Sequence, residues 1–226
     1  MRLAAIYSGG KDSTLAILKA SKENSIECLI NIIPSSEESY FFHYPNTKFV
    51  KHQAEAMGIP LIQEKSDANN EIKTLENLLN IAISEYKIEG IVCGVIKSKF
   101  QFEKFKKICE KFGIKFVTPL WQVNEFEVLE EILRLKIDAI ITGIAAYPLD
   151  ESYLGRKIDE KFIEDMKILS SKFGINPSGE GGEYETFVLD APNFRKKIII
   201  KSSKKIYKNY YGNLIFEEVE LMPKLT

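Results

Sequence analysis

The feature that most limits how this chain can fold is an alternation of short apolar segments with helical ones up to about Gly143. Apolar runs predict strands at 3–7, 26–33, 60–63, 91–95, 115–117 and 138–143. Residues spaced three and four apart predict helices between them, at 12–22, 47–57, 71–86, 102–112 and 125–135. Such alternation is typical of a parallel sheet with helices on both faces, so it predicts a doubly wound α/β domain.

The pattern changes in the last third of the chain. A helix is predicted at 160–173, and β-like segments follow at 186–189, 197–202 and 204–222. The last segment contains Tyr211-Gly212-Asn213, which predicts a hairpin turn. We therefore expect a smaller C-terminal α+β lobe, with residues 1–120 in the first domain and 121–226 in the second.

Composition excludes several classes of protein. The 226 residues hold 31 Lys+Arg and 32 Asp+Glu, a net charge of −1, which argues against binding nucleic acid by bulk electrostatics. No apolar run reaches the length of a membrane span, so we expect a soluble, cytoplasmic protein without a membrane partner. Cys28, Cys93 and Cys109 form no CxxC pair, and we expect them to be structural. The sequence leaves a homo-oligomer open.

A glycine-rich string, Ser8–Ser13, joins the first predicted strand to the first helix. Its two adjacent glycines allow a sharp turn that aims several N–H groups at one point, and Lys11 adds a cation. The helix N-terminus adds a partial positive charge. The string therefore predicts an anion-binding loop that is distinct from a Walker A loop.

A second loop, Gly179–Thr186, carries three glycines and three carboxylates in eight residues. This composition suits neither a packed helix nor a strand, and a solvated turn would tolerate it. A predicted strand leaves the loop at once, however, and would fix the carboxylates at a strand edge.

The string Ser8–Ser13 resembles the PP-loop of the N-type ATP pyrophosphatases. That resemblance implies a five-stranded parallel sheet in the order 3-2-1-4-5 and cleavage of ATP to AMP and pyrophosphate. The switch point of such a sheet lies between its first and fourth strands, where ligands bind.

Four further segments narrow the resemblance to the diphthine–ammonia ligase family: His43–Asn46, Gly94–Gln101, Pro119–Trp121 and Glu180–Pro192. The chain departs from the family pattern in the loop after the fourth strand, at Val95, Lys99 and Phe100. The resemblance implies a ligase that amidates diphthine on translation elongation factor 2 through an acyl-adenylate. Because no glutaminase module is visible, we expect ammonium as the nitrogen source.

The resemblance also implies roles for individual residues. ATP would be bound by Ser8, Gly9, Gly10, Lys11, Asp12, Ser13, Gly94 and Gln101. The substrate would be bound by Glu180, Gly181, Gly182, Glu183, Tyr184 and Glu185. The catalytic residues would be Lys11, Asp12, Glu183 and Glu185, with Asp12 as a ligand for Mg²⁺.

Two expectations concern the surroundings of these residues. The loop Gly179–Thr186, which we call the acidic loop, is far in sequence from Ser8–Ser13, which we call the phosphate loop. We therefore expect the acidic loop to serve the acyl donor or acceptor and not ATP. Tyr184 would face a quaternary ammonium group of the substrate. His43 could belong to the site or only to a loop, whereas His52 is expected to be a surface or packing residue.

Two other functions stay open at this point. One is a PP-loop enzyme that modifies tRNA, although paired cysteines, a zinc module and a basic surface are not visible in the sequence. The other is a nucleotide-binding module without enzymatic activity, in which the acidic loop would have no purpose.

Overall fold

The structure is a computed structural model that describes residues 1–35, 46–67 and 69–224. In the first half of the chain the elements are β1 (Arg2–Ile6), α1 (Lys11–Ala20), β2 (Ser25–Pro34), a 3₁₀ turn (Asn46–Phe49), α2 (Val50–Met57), β3 (Leu61–Ser66), α3 (Glu71–Tyr86), β4 (Gly90–Val92), α4 (Lys99–Phe112) and β5 (Lys115–Val117). In the second half they are α5 (Glu125–Arg134), β6 (Asp138–Ala145), a 3₁₀ turn (Glu151–Tyr153), α6 (Glu160–Phe173), β7 (Tyr184–Asp190), β8 (Lys196–Lys208) and β9 (Tyr211–Pro223).

The predicted parallel sheet is confirmed. Strands β1 to β5 form one five-stranded sheet in the order β3-β2-β1-β4-β5, and every pairing in it is parallel. The switch point lies between β1 and β4, which are neighbours in the sheet but far apart in the chain. The smaller C-terminal α+β lobe is also confirmed, since a four-stranded sheet in the order β7-β6-β9-β8 follows.

Two local predictions are wrong. Strand β6, which the sequence pattern placed in the parallel alternation, pairs antiparallel with β7 and β9 in the second sheet. The hairpin turn between β8 and β9 lies at Asn209 and Tyr210 instead of Tyr211-Gly212-Asn213. Both turn residues adopt positive φ, 51° and 62°, while Tyr211 already begins β9.

Burial explains how the two sheets are held together. One apolar cluster fills the space between the first sheet and α3 and α4, with Leu75 and Leu79 fully buried. A larger cluster lies on the opposite face and includes Leu15 of α1, Ile141 of β6 and Phe187 of β7. Because residues of both sheets contribute to this second cluster, α1 lies buried between the two sheets. The lobe boundary at residue 120 stays a prediction.

Helix length and cysteine burial bear on two further expectations. In the ranges that the structure describes, no helix combines the length and apolarity needed to cross a membrane. Cys28, Cys93 and Cys109 are all buried and unpaired, as a structural role requires. Burial raises the pKa of each thiol to about 12.

Candidate active site

The phosphate loop leads from β1 into the N-terminus of α1. Gly9 adopts a φ of +87°, which favours glycine, and allows the chain to reverse before the helix begins. Gly10 is the N-cap and has no side chain of its own to cap the helix. The hydroxyls of Ser13 and Thr14 both donate to the carbonyl of Gly10, at 3.1 and 3.0 Å. The first turn of α1 is therefore fixed, and its positive end is aimed at the space beside the loop.

That space is a pocket that is partly open to solvent. Most of the predicted site residues line it: Ser8, Gly10, Lys11, Asp12, Ser13, Gly94, Gln101, Glu180, Gly182, Tyr184 and Glu185. Three predicted residues, Gly9, Gly181 and Glu183, are not on its wall. The loop after β4 forms a third wall with Cys93, Val95 and Ile96.

The acidic loop lies against the phosphate loop, so their separation in sequence does not carry over into space. The backbone N–H of Lys11 donates to the Thr186 hydroxyl at 3.1 Å. The N–H of Val188 donates to the carbonyl of Gly9 at 3.0 Å. The two loops therefore share one pocket, and the expectation that the acidic loop serves the acyl donor or acceptor and not ATP stays a prediction.

Gln53 of α2 reinforces this contact, and sequence reasoning missed it. Its side chain is fully buried, and Nε2 donates to the carbonyls of Gly9 and Val188, each at 2.8 Å. A glutamine on an amphipathic helix is normally expected to be exposed, so the sequence around Gln53 did not indicate this role. Gln53 thus holds the phosphate loop and strand β7 together.

Lys11 is engaged by the acidic loop instead of extending into solvent. Its side chain is 2 % exposed, and Nζ donates to the carbonyl of Ser178 and to Oδ2 of Asp12, the latter at 2.8 Å. Nζ also lies 5.1 Å from the centre of the Tyr184 ring. Lys11 and Asp12 both line the pocket, where a phosphate would lie beside them.

Tyr184 has surroundings that differ from the expected ones. The residue is 2 % exposed, and its hydroxyl donates to the carbonyl of Pro177 at 2.6 Å. Burial, and after it the neighbouring carboxylates, raise its pKa well above the ordinary tyrosine value. The cation near the Tyr184 ring is the ammonium group of Lys11. From the sequence, a quaternary ammonium group of the substrate was expected there.

The two carboxylates at the start of the acidic loop have different surroundings. Both oxygens of Glu180 accept backbone hydrogen bonds from the β4–α4 loop, from the N–H of Ile96 at 2.7 Å and that of Lys97 at 2.6 Å. Among the described residues, Glu183 accepts one backbone hydrogen bond, from the N–H of Asn176 at 3.1 Å. Its Oε2 atom is buried and has no hydrogen-bond partner in the part of the chain that the structure describes.

Gly94 is needed where the β4–α4 loop crosses the start of α1. A Cβ on Gly94 would lie 2.7 Å from the carbonyl carbon and oxygen of Asp12. No side chain fits there without moving the helix. The loop then enters α4, where the Ser98 side chain caps the helix by accepting from the N–H of Gln101.

The remaining motif residues serve packing where they are described. Trp121 stacks on Phe102 with ring centres 4.0 Å apart. His52 lies on α2 beside Phe49, as expected for a packing residue, and burial lowers its pKa. Asn46 is buried and exchanges hydrogen bonds with the backbone of Leu214 and Phe216. The prediction for His43 falls outside the described residues.

The geometry of the site defines its class. A parallel sheet in the order 3-2-1-4-5, with a glycine-rich loop and a helix N-terminus at its switch point, is the architecture of nucleotide-binding α/β proteins. The chain belongs to the diphthamide synthase family. The model of the diphthamide synthase N-terminal domain matches residues 1–116, and that of the C-terminal domain matches residues 124–222.

Individual proteins agree with this assignment. The chain is 34 % identical to the diphthine–ammonia ligase of Bos taurus and 33 % identical to that of Homo sapiens. Each match covers 91 % of this chain and 85 % of the relative. The crystal structure of a predicted subunit of tRNA methyltransferase from Methanocaldococcus jannaschii aligns with 85 % of this chain, and the alignment covers 98 % of that subunit. The two chains are 17 % identical, and the TM-score is 0.42. That structural likeness is too weak to support an argument. The resemblance to the diphthine–ammonia ligase family is confirmed.

Proposed function

We propose that this protein is an ATP-dependent diphthine–ammonia ligase that forms diphthamide on translation elongation factor 2. The observation that carries the proposal is the single pocket in which the phosphate loop and the acidic loop face each other. Curated relatives that match over 91 % of the chain are named diphthine–ammonia ligase. ATP is the energy source, the acyl donor is a modified residue of a protein, and ammonia is the acyl acceptor.

In the proposed reaction the diphthine carboxylate is activated before the nitrogen attacks. A carboxylate is a poor acyl donor because its leaving group would be oxide. Its oxygen attacks the α-phosphorus of ATP, the bond between that phosphorus and the bridging oxygen breaks, and pyrophosphate leaves. Ammonia then attacks the acyl carbon of the adenylate, AMP leaves with the bonding electrons, and the nitrogen loses a proton.

The phosphate loop would hold the β- and γ-phosphates. The N-terminus of α1 and the side chains of Ser8 and Ser13 supply donors on one wall of the pocket. Lys11 would move from Ser178 to a phosphate oxygen or stabilise the phosphates from where it lies. Charge that develops on the departing pyrophosphate would be stabilised by these groups in place. Gly94 and Gln101 would complete the nucleotide site from the opposite wall.

Mg²⁺ fits the donor set as a partner of the nucleotide. Among residues 1–35, 46–67 and 69–224 no group of three or more His, Cys, Asp or Glu side chains could hold a metal alone. Magnesium commonly binds through one or two carboxylates together with phosphate oxygens. Asp12 lines the pocket and would be that carboxylate, and the ion would offset the negative charge of the phosphates.

The acidic loop would serve the cationic reactants. Diphthine carries a trimethylammonium group, and ammonium is itself a cation, so carboxylates near the acyl carbon attract both. Glu185 lies on the pocket wall, and Glu183 has an oxygen without a hydrogen-bond partner among the described residues. Either could accept the proton that the attacking nitrogen loses. Glu180, Gly181, Gly182 and Tyr184 would shape the loop around the substrate.

The experiment that tests the function combines purified protein, ATP, ammonium and elongation factor 2 that bears diphthine. We expect an amide on the factor by mass spectrometry and one AMP and one pyrophosphate for each amide. ADP and phosphate as products would exclude the adenylate route. AMP formation that depends on tRNA and not on the factor would instead favour a tRNA-modifying enzyme.

A further inference from the structure

Three exposed aromatic side chains from separate elements lie together on the C-terminal lobe. Tyr147, Phe173 and Tyr210 are 57 %, 46 % and 40 % exposed. The ring centre of Tyr147 is 5.4 Å from that of Phe173 and 4.9 Å from that of Tyr210, with edge-to-face geometry in both pairs. We call these three residues the aromatic patch. Clustered large apolar side chains on a protein surface mark interaction sites.

The aromatic patch is continuous with the acidic loop. Strand β6 ends at Ala145, whose N–H donates to the carbonyl of Glu183 at 2.9 Å, and Tyr147 follows two residues later. Ala145 also pairs with Tyr211, the residue after Tyr210. Helix α6 ends at Phe173, and the chain runs from there to Ser178 on the pocket wall. The patch therefore borders the loop that lines the pocket.

Tyr210 occupies a position that does not favour tyrosine. Its φ is 62°, and the preceding Asn209 has a φ of 51°, so the β8–β9 turn has both central residues in the left-handed region. Hairpins with this geometry favour Asn-Gly, because a bulky side chain is strained there. Strain that a fold retains at an exposed aromatic residue is typical of functional positions. The tyrosine thus contributes something other than turn stability.

Two exposed lysines adjoin the patch in sequence: Lys172 precedes Phe173, and Lys208 lies two residues before Tyr210. We propose that the aromatic patch and these lysines form the surface on which the protein that carries diphthine docks, an inference that rests on the proposed function. The partner face would be apolar at its centre and carry carboxylates opposite the lysines. A side chain on a folded protein needs such contacts outside the pocket, with aromatic anchors at their centre.

The test measures amide formation while diphthine-bearing elongation factor 2 is varied at saturating ATP and ammonium. Phe173→Ser and Tyr210→Gly should each raise the KM for the factor about tenfold, or about 1.4 kcal/mol, and leave kcat and the KM for ATP unchanged. Lys208→Glu should raise the same KM at low salt and less at high salt. The matched control is Ile168→Ser, since Ile168 is 52 % exposed on α6 and outside the patch. It should leave all constants unchanged.

Stability is checked separately by thermal unfolding. Glycine suits the left-handed turn, so the Tyr210→Gly variant is expected to keep the fold. If Phe173→Ser lowers the midpoint of thermal unfolding, the KM of the Tyr210→Gly variant alone decides whether the docking surface is correct. An unchanged KM for the factor in Tyr210→Gly would overturn the docking surface. So would an equal rise in Ile168→Ser, or light scattering that shows the patch joining two copies of this chain while the variants keep a normal KM.

The two proposals fail in different ways. If the wild-type protein forms no amide on the factor, the proposed function is wrong and the docking surface falls with it. If the wild-type protein forms amide and the patch variants bind the factor normally, only the docking surface is wrong.

Discussion

Two glycine-rich loops meet at the pocket, and they use their polar groups in opposite ways. The N-cap of the phosphate loop is Gly10, which has no side chain to cap α1, so the helix N-terminus keeps backbone donors beside the pocket, although the N–H of Lys11 donates to the Thr186 hydroxyl. The acidic loop uses both oxygens of Glu180 to bind the backbone of a neighbouring loop. The number of charged side chains in a loop therefore differs from the number that are available to bind a ligand. We therefore predict that substitutions in the two loops, and at Glu180 and Glu183 within the acidic loop, change different measured constants.

The largest effect is expected at Gly10. A Cβ there would lie 3.2 Å from the Thr186 hydroxyl oxygen and 3.3 Å from the Thr186 carbonyl oxygen, and the two valine methyl groups would extend further beside the loop. Gly10→Val should weaken ATP binding about a hundredfold, or about 2.8 kcal/mol, by calorimetry. The φ of Gly10 is −85°, which valine accepts, so circular dichroism should show an intact fold.

A glycine outside the pocket provides the control for this change. Gly113 ends α4 with a φ of 65°, and no atom lies within 4 Å of an added Cβ. Gly113→Ala should cost about 1 kcal/mol of stability and leave ATP affinity unchanged. Normal ATP affinity in Gly10→Val would mean that the phosphate loop does not bind the nucleotide.

The next effect in size is expected at Glu183. Glutamine in its place still offers an oxygen to the N–H of Asn176, so the loop is kept while the negative charge is removed. Glu183→Gln should slow amide formation at least about tenfold, or about 1.4 kcal/mol of transition-state stabilisation, with nearly normal ATP binding. Amide formation at the wild-type rate would make the loop a structural turn. A loss of ATP affinity would place Glu183 in the nucleotide site.

A smaller effect of a different kind is expected at Glu180. Glutamine offers one oxygen to two backbone donors, so the N–H of Ile96 or of Lys97 would face an NH₂ group. Glu180→Gln should loosen the β4–α4 loop and raise the KM for ATP several-fold, about 1 kcal/mol, with little change in kcat. The two glutamine variants are compared in one assay. If both change the same constant, the two carboxylates have one role and the comparison is wrong.

The smallest effect is expected at Cys93, on the third wall of the pocket. Burial raises the pKa of its thiol to about 12, above the ordinary value of about 8.5, so the neutral form is favoured in the folded state. The stability this provides is complete below about pH 8.5 and is lost as pH rises toward 12. Urea unfolding of wild type should show this decline, and Cys93→Ala should reduce it without changing activity at pH 7, since the shifted thiols of Cys28 and Cys109 remain.

Parts of the fold that depend on local pattern were predicted from sequence, and parts that depend on long-range pairing were not. Helices α3 and α6 have the predicted bounds, 71–86 and 160–173, because periodicity is a local property. An apolar run such as β6 does not show which strand it pairs with. The β8–β9 turn was placed at Gly212 because glycine is the usual signal, while the chain turns at Asn209 and Tyr210.

The candidate site divides in the same way. The glycine string predicted the phosphate loop, and its serines and Lys11 do line the pocket. That Gln53 and Thr186 reach the loop could not be predicted, because both contacts cross between distant segments of the chain. The burial of Tyr184 was missed for the same reason, since a tyrosine between two glutamates reads as exposed.

The hydrogen bonds of Gly9 limit how the two halves of this chain could be separated or exchanged. Its carbonyl accepts from Gln53 in one half of the chain and from Val188 in the other. A fragment ending near residue 116, where the N-terminal family match ends, would keep the first partner and lose the second. The N-terminal half therefore cannot be separated from the rest of the chain without loss of this contact. A gene that exchanged either half for that of an unrelated protein would also have to replace the residues that meet at this one peptide group.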